Sequence, residues 1–234
     1  MPGSPETRRL LAGVPLFASL EERAIDALLA ATTTKRLAPR EELFHKGDPG
    51  ERLYVVISGH LKAKAEAADG KEVIFSLMGP TEVIGEIALL DASPRSATVE
   101  AIEHSELLTL HRRDFLPVLE RHPKVAIRLA GILAGRLRRL SDLTEDTAFL
   151  TLPSRLAKKL LALAESDGVP TPEGTRISIR LPQSELGELV STSRESVNKL
   201  LRAWVLEGVV GLDSGFITLR KRRPLEALAD LWMV

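Results

Sequence analysis

Apolar positions along this chain change period three times. Near the N-terminus Ile25, Leu28 and Leu29 repeat at helical spacing behind Ser19, Glu21 and Glu22, which predicts a short helix starting at Ser19. From about Thr33 to Leu116 the period shortens. The runs 53–59, 72–79, 97–103 and 106–112 are β-prone, and Gly47, Gly50, Gly59, Gly70 and Gly79 punctuate them. That texture predicts a sandwich, barrel or roll of short strands. From about Lys124 to Thr147 the spacing is helical again, without proline and rich in Ala, Leu and Arg. This helix is longer than the ordinary globular helix of about 12 residues. One stripe on it runs Ala126, Ala130, Ala134, Leu137, Ser141, Thr144, and another runs Ile127, Leu129, Ile132, Leu133, Leu140, Leu143. Two usable faces suggest that one packs on the roll and the other on a partner helix, with a single buried helix as the alternative.

Thr151 and Pro153 have the character of a cap and a first-turn residue, so a further helix is expected over 154–165. Asp167, Gly168, Pro170, Pro172 and Gly174 then predict a loop. The stretch from 183 to 204 reads QSELGELVSTSRESVNKLLRAW. A helix is expected over Gln183 to Val190 with Leu186 and Leu189 inward, then a tight polar turn at 191–193. A second helix starts after Ser193, with Val197, Leu200, Leu201 and Trp204 as its apolar face. Arg194, Glu195, Asn198, Lys199 and Arg202 are left facing outward. Two short helices joined in this way describe either a helix-turn-helix, whose second helix enters the major groove of DNA, or a helical hairpin with a solvated charged face. Two strands around Asp213, Ser214 and Gly215 would make the wing of a winged helix. The basic run Lys221, Arg222, Arg223 reads as a solvated tail or, less simply, a DNA clamp.

Composition narrows the chemistry. The chain has 234 residues, 44% of them hydrophobic, enough for one large or two ordinary domains. No apolar run approaches the ~20 residues needed to span a bilayer, and the N-terminus lacks the apolar core of a secretory signal. Cysteine is absent, which excludes disulfides, zinc–thiolate sites and iron–sulfur clusters ligated by cysteine, and fits a cytoplasmic protein. Lys and Arg number 32 and Asp and Glu 32, so any DNA binding must be local. The five histidines show no metal-ligand spacing, and no P-loop, G-x-S-x-G or dinucleotide fingerprint occurs. No metal site and no catalytic residue is expected, and the chain does not read as an enzyme.

The most specific segment is VIGEIALLDASPRSATV, residues 83–99. Arg95 offers a forked, permanently charged partner for a phosphate, and Ser96 a hydroxyl. Ionised Glu86 only accepts, so it suits sugar hydroxyls. Gly85 lets the backbone turn and approach a ligand. Backbone N–H groups between Ile87 and Pro94 can add to an anion site. This segment resembles the phosphate-binding cassette of cyclic-nucleotide-binding domains, whose pattern Gly-Glu-Ile/Leu-Ala, short loop, Pro-Arg-Ser/Thr-Ala is matched by Gly85, Glu86, Ile87, Ala88 and then Pro94, Arg95, Ser96, Ala97. The resemblance gives Arg95 and Ser96 to the cyclic phosphate and Glu86 to the ribose 2′-hydroxyl.

The string SRESVNKLL, 193–201, resembles the recognition helix of the Crp/Fnr transcription regulators, usually S-R-E-T-V-x-R-x-L. The resemblance then covers nearly the whole chain. It implies an α+β fold: a cyclic-nucleotide-binding β-roll over 1–120, a long dimerisation helix over 121–149 and a winged helix-turn-helix over 150–234. It gives Arg194 to a guanine, Glu195 to a cytosine, and Gln183, Ser184, Ser193 and Ser196 to the DNA interface. Lys199 stands where the family often has Arg, a point donor in place of a fork. In the cyclic-AMP receptors the long helix supplies a Thr-Ser pair to the adenine; here Leu140 and Ser141 take those positions, and Leu140 cannot hydrogen-bond. The implied partners are a cyclic nucleotide (cyclic AMP first), palindromic double-stranded DNA, a second copy of the chain and RNA polymerase. A cyclic dinucleotide, or no effector, remains open beside this, as does an enzyme acting on cyclic nucleotides, against which the missing metal ligands weigh.

Overall fold

The computed structural model describes residues 5–230; the first and last four residues, which the expected terminal segments include, lie outside the described residues. The chain forms two compact units, residues 1–69 with 75–139, and residues 140–234 with 70–74.

In the first unit, α1 (Pro5–Gly13) and α2 (Glu22–Ala31) precede eight strands. These are β1 (Thr33–Leu37), β2 (Glu42–Phe44), β3 (Arg52–Ser58), β4 (Leu61–Glu66), β5 (Glu72–Met78), β6 (Val83–Ile84), β7 (Thr98–Ala101) and β8 (Ser105–His111). A short α3 (Glu86–Asp91) sits between β6 and β7, and α4 (Arg112–Arg121) and α5 (Pro123–Phe149) follow β8. The strands form two four-stranded sheets, ordered β1-β8-β3-β6 and β2-β7-β4-β5. This is the expected β-roll. The four runs legible in the sequence are β3, β5, β7 and β8, interleaved with β1, β2, β4 and β6.

The sequence of β3, LYVVI, shows why the roll holds. Tyr54 and Val56 point into a core between the two sheets, with Leu37, Leu43, Leu61, Met78, Ile84, Val99 and Leu107. Leu53 and Val55 point the other way, into a second core closed by helices. A strand buried on both faces loses the polar alternation of a half-exposed one. The second core takes Leu11 from α1, Ile25, Leu28 and Leu29 from α2, Phe115 from α4, and Val125 and Leu129 from α5. Phe17 meets Phe115 edge to face at 6.2 Å.

One expectation near the N-terminus needs correction, and one helix was not foreseen. α1 was not legible in the sequence. The second helix starts at Glu22 with Glu21 at its cap, and no side chain caps it; Ser19 lies in the preceding turn, where its hydroxyl is buried without a partner. The long helix spans Pro123–Phe149, 27 residues. Val125 and Leu129 are buried, whereas Ile127 and Leu137 are 71% and 66% exposed.

In the second unit α6 (Leu152–Ser166) starts at Thr151, whose hydroxyl accepts from the Ser154 N–H. The expected loop after it is instead a hairpin, β9 (Gly168–Thr171) and β10 (Gly174–Ile177). Pro170 is tolerated because β9 is the edge of the sheet β11-β12-β10-β9. Then come α7 (Gln183–Leu189), α8 (Arg194–Leu206), β11 (Val210–Asp213), β12 (Phe216–Leu219) and α9 (Arg222–Ala229). The basic run is not a tail, since α9 begins within it, and Arg223 is exposed. Lys221 donates to the Glu207 carbonyl at 3.1 Å, and Arg222 pairs with Glu165 and Glu226 as α9 begins.

Arg155 ties this unit together. Its Nε donates to the Val190 carbonyl at 3.1 Å, and its Nη1 to those of Leu150 and Thr147 at 3.2 and 3.4 Å. One guanidinium thus joins the end of α5 to the end of α7. Arg155→Met should lower the stability of this unit by about 1–3 kcal/mol, seen as a lower urea midpoint by tryptophan fluorescence. An unchanged midpoint would mean that the tie contributes nothing.

Candidate functional site

The cassette is built on a backbone turn. Gly85 follows β6 with φ of +86°, a left-handed conformation. A Cβ there would lie 2.9 Å from the Arg52 carbonyl oxygen and would collide with the Arg95 guanidinium. Conformation and space both demand glycine. α3 then buries Glu86, Ala88 and Leu89 and leaves Ile87 exposed.

Glu86 is fully buried. Its Oε1 accepts a charged hydrogen bond from Nη1 of Arg136 on α5, and Arg136 Nη2 donates to the Val83 carbonyl. The other carboxylate oxygen, Oε2, is buried with no partner. Arg95 is 4% exposed. Its Nη1 donates to the Gly85 carbonyl at 2.9 Å and its Nη2 to that of Arg52 at 2.7 Å. Its backbone is pinned as well: the N–H donates to the Asp48 carbonyl and the carbonyl accepts from the Gly47 N–H, both at 2.9 Å. Burial pulls the Arg95 guanidinium below its ordinary pKa, and nearby Tyr54, Glu86 and Asp48 oppose that shift. Arg95 Nε is buried with no partner.

No ion pair joins Glu86 to Arg95 among the described residues. Each is partly engaged elsewhere, and each retains one orphan, an acceptor on Glu86 and a donor on Arg95. Buried orphans are uncommon and costly. A ligand presenting a hydroxyl to the first and an anionic oxygen to the second would satisfy both. Ser96, next in the chain, is exposed. Leu140 and Ser141 are also exposed, on α5 beyond Arg136, and belong to the second unit.

The second unit has its own site. α7 and α8 meet through the turn at 190–193, where the Thr192 N–H donates to the Gly187 carbonyl at 2.9 Å. A Cβ on Gly187 would stand 2.7 Å from the Thr192 carbonyl oxygen, so the two helices meet this closely only over glycine. The Ser193 hydroxyl caps α8 by accepting from the Ser196 N–H at 3.2 Å and lies 3.0 Å from the Ser196 hydroxyl. Both hydroxyls therefore serve the cap. Val197, Leu201 and Trp204 are buried, and Arg194, Glu195, Lys199 and Arg202 are exposed. Ser184 is exposed and Gln183 half-buried at the start of α7. The wing turn has Ser214 and Gly215 at φ of 50° and 87°, the two left-handed residues of a tight hairpin.

Residues 34–122 match the cyclic nucleotide-binding domain, and residues 154–228 the Crp-like helix-turn-helix domain. The CRP-like cAMP-activated global transcriptional regulator of Mycobacterium tuberculosis is 35% identical over 210 residues, 85% of this chain and 92% of the relative. The chain belongs to the Crp/Fnr family of transcription regulators. The cyclic AMP receptor protein of Thermus thermophilus is 37% identical over 218 residues, 93% of this chain and 97% of that protein. A solved CRP/FNR-family regulator from Thermus thermophilus superposes with a TM-score of 0.71 at 25% identity, covering 85% of this chain and 98% of that one. In this Crp/Fnr regulator Glu86 Oε2 and Arg95 Nε are the buried acceptor and donor of the cassette that no described group satisfies.

Sequence reasoning missed Arg136. It lies 50 residues from Glu86. One signal was available: Arg136 is four residues before Leu140, hence on the same helical face as a position the resemblance had already singled out. Arg136→Met would leave a buried carboxylate without its cation, and should cost about 3 kcal/mol. The double variant Glu86→Gln/Arg136→Met should recover most of that loss. Urea unfolding followed by circular dichroism checks both; a single variant as stable as the parent would contradict the pairing.

Proposed function

We propose that this regulator is a homodimer that binds cyclic AMP in the roll and a palindromic duplex through two copies of α8. The observation that carries the reading is the pair of buried orphans, Glu86 Oε2 and Arg95 Nε, in a chain of this family. Cyclic AMP is favoured by the names of the relatives at 35% and 37% identity. Arg95 and Ser96 hold the phosphate, Glu86 the ribose hydroxyl, and Gly85, Ile87 and Ala88 shape the loop. Leu140 and Ser141 meet the base. The dimer is supported by the exposed positions Ala126, Ile127, Ala130 and Leu137 on α5. Two α8 helices about 34 Å apart would enter successive major grooves. The ligand acts only through different affinities for two states of the dimer. RNA polymerase is the partner such a regulator serves, and the cytoplasm its compartment.

Titration calorimetry with cyclic AMP and cyclic GMP tests the effector. Arg95→Ala should abolish binding with the fold intact, and a variant still binding cyclic AMP within a few-fold of the parent would refute the assignment. Leu140→Thr should raise cyclic AMP affinity severalfold, up to about tenfold, by restoring a hydrogen-bonding group; unchanged affinity would show that Leu140 does not face the base.

The DNA reading separates two residues. Arg194→Ala removes a bidentate guanine contact, so it should cost about 1–3 kcal/mol and relax preference at one base pair per half-site. Lys199→Ala should weaken all sequences more evenly and flatten the salt dependence by about one unit per site. Binding to half-site variants at two salt concentrations decides between them. Uniform loss for Arg194→Ala, with base preference intact, would mean that Arg194 does not read a base.

A further inference from the structure

Among the described residues no carboxylate pairs with the buried cation Arg95, and such a charge needs another form of support. It rests on an aromatic surface. Its guanidinium carbon lies 4.2 Å from the centre of the Phe44 ring and 5.7 Å from that of Tyr54. The two rings are 6.0 Å apart and inclined by 31°. Phe44 ends β2, and Tyr54 lies opposite Ile84 on β3, one residue before the cassette turn. Two carbonyls, of Gly85 and Arg52, fix the Nη atoms, and the guanidinium carbon lies over the Phe44 ring.

We propose that Phe44 and Tyr54 are positioning residues for the phosphate of the ligand, forming a shelf that holds the Arg95 fork in place before the ligand arrives. This deepens the cyclic-nucleotide reading and rests on it. A free arginine surrenders considerable side-chain freedom when it grips an anion. An arginine already held over the Phe44 ring and beside Tyr54 has given that freedom up in the folded state, so the ligand gains affinity by preorganisation, without touching either ring. The attraction is electrostatic, between the cation and the π face, and is strongest where water is excluded. A phenylalanine serving only as core would depend on its volume and not on its π density.

That difference makes the test. Phe44 is replaced by leucine, and separately by 4-fluoro-, 3,5-difluoro- and pentafluorophenylalanine, which drain the π face while keeping the ring. Affinity for cyclic AMP and cyclic GMP is measured on the full-length protein. The Arg95 Nε–H proton is followed by NMR without ligand, where a ring beneath it shifts the signal upfield. Affinity should fall stepwise along the fluorinated series, and Phe44→Leu should lose about three- to thirtyfold. Phe44→Trp should bind at least as well as the parent. The upfield shift should vanish in Phe44→Leu. Affinity indifferent to fluorination, or an Arg95 signal that Phe44→Leu does not move, would overturn the shelf while leaving the nucleotide reading intact. A parent that binds neither nucleotide would overturn that reading, and the role for phosphate with it.

Discussion

Two opposite charges, Glu86 and Arg95, are held out of water in one cassette without pairing with each other, and the first unit is arranged around that constraint. A buried charge destabilises a fold unless other groups take up its field. Arg136 does so for Glu86, and two carbonyls and two aromatic rings do so for Arg95. These supports come from β2, β3, the Gly85 turn and α5, so most of the roll must be in place before the cassette exists. The double-sided burial of β3 supplies the rigidity. Its alternate residues anchor one core between the sheets and another beneath the helices, so the carbonyl of Arg52 and the ring of Tyr54 are fixed points.

The same constraint bears on switching. Glu86 is engaged by a side chain of α5, the helix whose last turn is grasped by Arg155, which also holds the end of α7. A ligand hydroxyl on Oε2 would share the carboxylate whose Oε1 holds Arg136 of α5. A ligand shifts a two-state equilibrium only by binding the two states unequally. The recognition helix, by contrast, is preorganised by local means: the Ser193 cap, the Gly187 approach and a buried face ending at Trp204.

The parts legible in the sequence were those with short-range signatures. The cassette could be read because Gly85, Glu86, Arg95 and Ser96 lie within a dozen residues, and the α8 start because Ser193 caps it. The hairpin at 168–177 was hidden because Pro170 and Pro172 signal a loop, and only the sheet order reveals that β9 is an edge, where proline costs no ladder bond. α1 has too few apolar residues to show a period. The helix start was misplaced at Ser19 because a good cap residue counts only where the chain turns to meet it. Arg136 and Phe44 were invisible for a deeper reason. An arginine on a charged helix and a phenylalanine ending a short strand both have ordinary structural explanations, and only tertiary contact distinguishes them.

The central claim is that the buried orphans of the cassette belong to the ligand. The most direct measurement compares the affinity of the parent for cyclic AMP and for 2′-deoxy cyclic AMP, which differ by the one hydroxyl assigned to Glu86 Oε2. Loss of a hydrogen bond to a charged group is worth about 1.5–3 kcal/mol, so the deoxy compound should bind about ten- to a hundredfold more weakly. Equal affinity for the two would mean that the Glu86 carboxylate does not meet the sugar, and the account of the site would fail.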